Sequence, residues 1–117
     1  MNCPDVNSQT YTTHWHETFT IACDVDYTGG LAADGGGEII DILGAITYSL
    51  EDCIEACSSI NYQSKLYGFS PCKSITWLWD IKNATASFGG NCWLKNGTLA
   101  TGTTGNPNID CVSAFMN

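Results

Sequence analysis

Arginine is absent from this 117-residue chain, and four lysines stand against twelve acidic residues, a formal charge of −8. That balance repels phosphate backbones and anionic lipid surfaces, so no nucleic acid and no charged membrane face is expected as a partner. Long apolar runs are missing too, and membrane insertion is not expected. Met1 leads straight into Asn2, Cys3 and Pro4 with no basic start and no apolar stretch, so the chain reads as a mature form. Charge of either sign is scarce, at 14% of residues, and Thr, Ser, Asn and Gly fill the polar positions instead. Such a composition is common among exported proteins of microbial cell surfaces.

The patterns of catalysis are equally thin. There is no Gly-x-Ser-x-Gly, and no cysteine stands out as a thiolate beside a histidine, so no catalytic residue is assigned and the chain reads as non-enzymatic. Glu51 and Glu55 sit one helical turn apart on what reads as an exposed face, the usual place for solvated acids. His14 and His16 flank Trp15 and would share one face of a strand, half of a zinc or copper site with no third ligand at a fixed spacing. Asp24, Asp26 and Asp34 surround a glycine loop but lack the twelve-residue pattern of a calcium loop. No metal and no cofactor is expected.

Cysteine, by contrast, is abundant. Seven of them, at Cys3, Cys23, Cys53, Cys57, Cys72, Cys92 and Cys111, in a chain of one domain's length point to disulfides and an oxidising, extracellular compartment. A domain this small buries a modest core, so such staples matter. The sequons at Asn83 and Asn96 fit the same secreted or cell-wall address.

Along the chain, residues 17–23 alternate polar and apolar side chains and read as a strand with Phe19, Ile21 and Cys23 on one face. A glycine loop follows, through Gly29, Gly30 and residues 35–37. Ser49 is an N-cap with Asp52 three residues on, opening a helix from Leu50 to about Ile60 whose buried stripe is Leu50, Cys53, Ile54 and Cys57. Residues 61–71 read as a polar loop with an embedded Tyr67-Gly68-Phe69, and residues 72–79 as a strand. Residues 80–90 read as a hairpin-like connection. Strands over 91–95 and 109–115, separated by a Thr/Gly/Asn-rich loop, close the chain.

This order of features resembles the PAN/apple superfamily, in particular fungal secreted PAN-like domains. The residues that carry the likeness are the Phe19-Thr20-Ile21-Ala22-Cys23 strand, the helix opened by Ser49 with Cys53 and Cys57, and Cys72 before an aromatic strand. The Cys92-Trp93-Leu94-Lys95 strand and the closing Val112-Ser113-Ala114 complete it. The likeness covers most of residues 17–117 and leaves 1–16 as an N-terminal tail. It implies an α+β fold, a twisted antiparallel sheet cradling one main helix, with bridges Cys53–Cys92 and Cys57–Cys72. The second closes a loop of about fifteen residues and contributes roughly 3 kcal/mol on the chain-entropy model. A third bridge joins the beginning and end of such domains; Cys111 has Cys23 and Cys3 as candidates, and Cys23–Cys111 is the favoured pair, leaving Cys3 odd and open to intermolecular pairing.

The likeness also implies a recognition module that contacts a protein or glycan ligand. Trp15, Tyr67, Trp77 and Trp79 are the candidate contact aromatics, since flat rings stack on sugars and partner side chains. Against this stands core packing: Trp77 and Trp79 share a strand face that can pack on the helix, and Trp93, beside Cys92, reads as core. Two other expectations come from different classes. One is a self-assembling filament or surface layer using the N-terminal tail and Cys3; the other is a secreted effector.

Overall fold

The computed structural model describes residues 3–68, 70–100 and 105–117. Phe69, in the expected Tyr67-Gly68-Phe69 loop, residues 1–2 of the tail, and residues 101–104 of the Thr/Gly/Asn-rich loop lie outside the described residues. The elements in chain order are β1 (Thr10–Thr12), β2 (Thr18–Asp26), β3 (Asp41–Ala45), α1 (Leu50–Tyr67), β4 (Ser74–Leu78), α2 (Ile81–Phe88), β5 (Cys92–Lys95) and β6 (Asn106–Met116). The strands form one antiparallel sheet in the order β1-β2-β6-β4-β5-β3, with α1 packed across β4 and β5, so the fold is α+β.

Alternation decides which residues meet that helix. Phe19 and Ile21 of β2, Ile75 of β4, Leu94 of β5 and Val112 and Ala114 of β6 are buried against Leu50, Cys53, Ile54 and Cys57 of α1. Each of these four strands gives alternate side chains to this layer, as a pleated sheet requires. The register of β2 shifts between Cys23 and Val25, where Asp24 takes φ +60°, and beyond it Val25 packs with a second, smaller cluster of Tyr27, Ala33 and Ile39.

Both helices carry legible caps. Ser49 Oγ accepts the Asp52 N–H at 3.1 Å, and Gly68 closes α1 at φ +77° with its N–H on Ser64 O. The helix therefore runs a full seven residues past Ile60, where a polar loop was expected. Asn61 explains the continuation: its Oδ1 accepts the Cys72 N–H at 2.6 Å and its Nδ2 donates to Glu17 Oε1 at 3.1 Å, so a polar residue sits on the inner stripe fully employed. The hairpin-like connection expected over 80–90 is instead α2, opened by Asp80, which accepts the Asn83 N–H, and closed by Gly89 at φ +81°.

Three disulfides staple the described residues. Cys53–Cys92 and Cys57–Cys72 tie α1 to β5 and to the segment before β4. The third is Cys3–Cys23, which corrects the expectation of Cys23–Cys111 with an odd Cys3. The reason lies in the sheet. Cys23 stands opposite Val112 on β6 and packs on the helix side with Phe19 and Ile21, while Cys111, one residue earlier, lies on the other face. The N-terminal residues, for their part, fold back as sheet: β1 pairs with β2 through Tyr11↔Phe19, Ser8 N–H donates to Ile21 O, and Val6 is buried in the main core. Cys3 is thereby delivered to Cys23.

Candidate binding cleft on the open sheet face

The face of the sheet turned away from α1 carries the other half of each alternation. In β5, Cys92 is committed to Cys53 and Leu94 to the core, so Trp93 and Lys95 point to the opposite side. The same logic puts Thr76 and Leu78 of β4 and Cys111 of β6 there. Around them gather Asp26 at the end of β2, Thr28 and Gly29 beyond it, Asp41 of β3, Phe88 of α2 and Asn108, enclosing a cleft of about 300 Å³. Trp93, Phe88 and Leu78 give it aromatic and aliphatic walls, and Asp26, Asp41, Lys95, Thr28, Thr76 and Asn108 give it polar groups of both signs, so apolar surface and convergent polar groups meet in one concavity.

Lys95 is the centre of its electrostatics. Its side chain is 3% exposed, and its ammonium donates to Asp41 Oδ1, the single partner it has among the described residues. An ammonium carries three N–H donors, so one carboxylate oxygen leaves donor capacity beside the cleft. Deeper in, Thr76 Oγ1 and Ser113 Oγ share a hydrogen bond at 2.8 Å, and Ser113 Oγ also lies 2.7 Å from Val25 O. The Cys111 thiol is pushed up to about 12 by burial, reinforced by the negative charges of Asp26 and Asp110 and opposed by Lys95. It is therefore a protonated lining group at neutral pH and no nucleophile.

The aromatics expected to make contacts fall in four different settings. Trp15 is 40% exposed and stacks on Tyr62 of α1 at 4.2 Å, its Nε1 donating to Ser59 Oγ. Trp77 packs on the helix-side core, and its Nε1 is buried with no partner among the described residues. Trp79 lies past the end of β4 and is largely exposed, so the two do not share a packed face; Tyr67, at the last residue of α1, is also exposed. None of the four lines the cleft. Trp93, expected in the core, does.

His14, Trp15 and His16 form a turn between β1 and β2, not a strand, with His16 at φ +63°. Glu55 of α1 holds it by accepting the His14 N–H and the Tyr11 hydroxyl, and a buried chain of Thr13, Ser58, Glu17 and Asn61 locks its base. Among the described residues no group of three or more His, Cys, Asp or Glu is placed to hold a metal ion. No helix among them is long and apolar enough to cross a membrane. Of the sequon residues, Asn83 is exposed in the first turn of α2, and Asn96 is half-buried with Oδ1 accepting the Ile40 N–H.

The signal for the cleft was present in Cys92-Trp93-Leu94-Lys95. Once Cys92 is tied to a helix, period two sends Trp93 and Lys95 away from it. Asp41 carried no comparable signal, because nothing in residues 38–48 announced the strand that brings it to Lys95. Comparison of the chain with protein-family models, with curated proteins and with solved structures gives no match.

Proposed function

We propose that the chain is a secreted, non-enzymatic recognition module of PAN/apple type whose ligand site is the cleft on the open sheet face, and that the ligand group is a neutral sugar. Three disulfides in a domain of this size fit an extracellular address. The observation that carries the reading is the ion pair of the buried Lys95 with the half-exposed Asp41, set beside Trp93 in a cleft of about 300 Å³. Hydroxyl groups both donate and accept, so they suit a site offering ammonium donors, the Asp26 and Asp41 carboxylates, and the dual-natured Thr28 and Asn108. A sugar's apolar face suits the Trp93 and Phe88 rings. The chain's formal charge of −8 disfavours anionic sugars.

The test is calorimetric titration of the protein with neutral mono- and oligosaccharides, followed by Trp93→Ala and Lys95→Met variants whose folding is verified by circular dichroism. Saturable binding lost in both variants, with the sugar recovered intact, supports the reading. Absence of binding across neutral glycans, or binding that survives both substitutions, overturns the site. Cleaved sugar overturns the non-enzymatic part.

A further inference from the structure

The sheet ends on one side in β3, and that edge is unusually apolar. Ile40 is 58% exposed, Leu43 49%, Ile46 49% and Tyr48 79%, with Ile42 between them at 37%, all within nine consecutive residues. An edge strand presents unpaired backbone donors and acceptors, and folded proteins ordinarily guard such edges with lysine, proline or brevity. The opposite edge, β1, is guarded by brevity: three residues, Thr10, Tyr11 and Thr12, with the two threonines exposed. At β3 the register shift between Asp41 and Leu43 bends the strand, but residues 40–48 contain neither lysine nor proline.

We infer that β3 is an assembly edge and that its occupant is a second copy of this chain, paired antiparallel about a two-fold axis at Gly44. Self-complementarity singles out that occupant. With Gly44 on the axis, Leu43 meets Ala45 of the other copy and Ile42 meets Ile46, the residue that follows β3, so apolar side chains face apolar side chains about the centre of the strip. The single charge in the strip is Asp41; it is already bound to Lys95 of its own chain and meets an uncharged threonine, Thr47. Two chains of formal charge −8 repel over most approaches, and this pairing sets no carboxylate against another. A two-fold pairing of like edges also closes on itself, giving a dimer and no filament.

Sedimentation equilibrium over a wide concentration range reads the assembly directly. A reversible monomer–dimer equilibrium is expected, tightening as salt screens the repulsion between copies. Ile42→Lys should weaken it at least about tenfold, through the charge it sets beside the partner's apolar strip, and Thr10→Lys on β1 should leave it unchanged. A chain that stays monomeric throughout, or a dimer that Ile42→Lys leaves intact or that Thr10→Lys breaks, overturns the proposal. Hydrogen exchange on the unsubstituted protein gives a second reading that requires no variant to fold. Amides of residues 42–46 should gain protection as concentration rises, and protection independent of concentration overturns the pairing.

Discussion

The Trp93 indole lies so close against Gly44 of the neighbouring strand that a Cβ at position 44 would come within 2.5 Å of the ring. The edge strand and the cleft wall are thus fitted to each other through a residue with no side chain. Gly44→Ala must displace the indole or bend β3, at a cost of about 1–3 kcal/mol typical of overpacking. Thermal unfolding should show the loss, and tryptophan fluorescence should shift as the ring moves. Sugar binding should fall with it, because Trp93 is the cleft's aromatic wall.

Cys3–Cys23 makes a separate prediction, since it replaces the free Cys3 on which covalent assembly rested. Alkylation of the native protein followed by peptide mapping should find Cys3 joined to Cys23, and non-reducing gels should show no disulfide-linked dimer. The bridge spans a sequence separation of 20 and fixes the N-terminal residues to the sheet. A Cys3→Ser, Cys23→Ser double variant should lose roughly 3 kcal/mol on the chain-entropy model, visible as a lower denaturant midpoint.

Much of this architecture was legible in the residues, and the parts that were not share a physical cause. Strands and helix whose one face is buried advertise it: Phe19, Ile21, Ile75 and Leu94 alternate, and Leu50, Cys53, Ile54 and Cys57 follow helical spacing. What stayed hidden was polar or apolar on both sides. The last turns of α1 are solvated apart from Asn61, so their composition resembles a loop, although Gly68 marks their end. β3, from Asp41 to Ala45, breaks alternation with a bulge and a glycine and exposes most of its apolar residues. The contact of Cys3 with Cys23 depends on a hairpin whose turn, His14 to His16, is fixed by Glu55 and Ser58 from a distant helix. Of the cleft, Trp93 and Lys95 were recoverable from period two, and Asp41 was not.

Alkaline pH offers a third test, with its sign set by three groups that all shift the same way: burial raises the Tyr27 hydroxyl to about 12, and two further groups can be removed by substitution. The Tyr11 hydroxyl is raised to about 12, chiefly by its 2.6 Å hydrogen bond to Glu55, and the Cys111 thiol is raised to about 12, chiefly by burial. Both groups lose their protons more readily in the unfolded chain. Their contribution is therefore full at neutral pH and is lost as pH climbs from the ordinary values, 10.0 for Tyr11 and 9.0 for Cys111, toward about 12. Denaturant midpoints should fall across that window, and less steeply in a Tyr11→Phe, Cys111→Ala double variant. At neutral pH, iodoacetamide should leave Cys111 unlabelled until the protein unfolds.

Trp77 carries a buried indole N–H with no partner among the described residues, so its removal has two opposed effects. Trp77→Phe relieves an unsatisfied donor, worth about 1–3 kcal/mol, and opens a small void of similar cost. Stability should stay within about 1 kcal/mol of the unsubstituted protein, whereas Trp77→Ala should lose about 3–5 kcal/mol because the whole ring volume is vacated. Chemical denaturation of the two variants side by side checks the contrast.

Lys95 and Asp41 allow stability and recognition to be separated. Lys95→Met alone leaves the Asp41 carboxylate without its cation, but that side chain is 42% exposed and can turn to water, so the loss should be about 1–2 kcal/mol, below the 3–5 kcal/mol of a fully buried pair. Adding Asp41→Asn removes the orphaned charge and should restore most of that stability, since replacing both members of a pair is often close to neutral. Binding should follow a different course. If the ammonium donates to ligand hydroxyls, the double variant regains its denaturant midpoint while sugar affinity stays at least about tenfold down, the worth of one charge-assisted hydrogen bond. Affinity that recovers together with stability would mean that Lys95 serves only to hold β3 against β5, and the ligand site would have to be sought elsewhere on the chain.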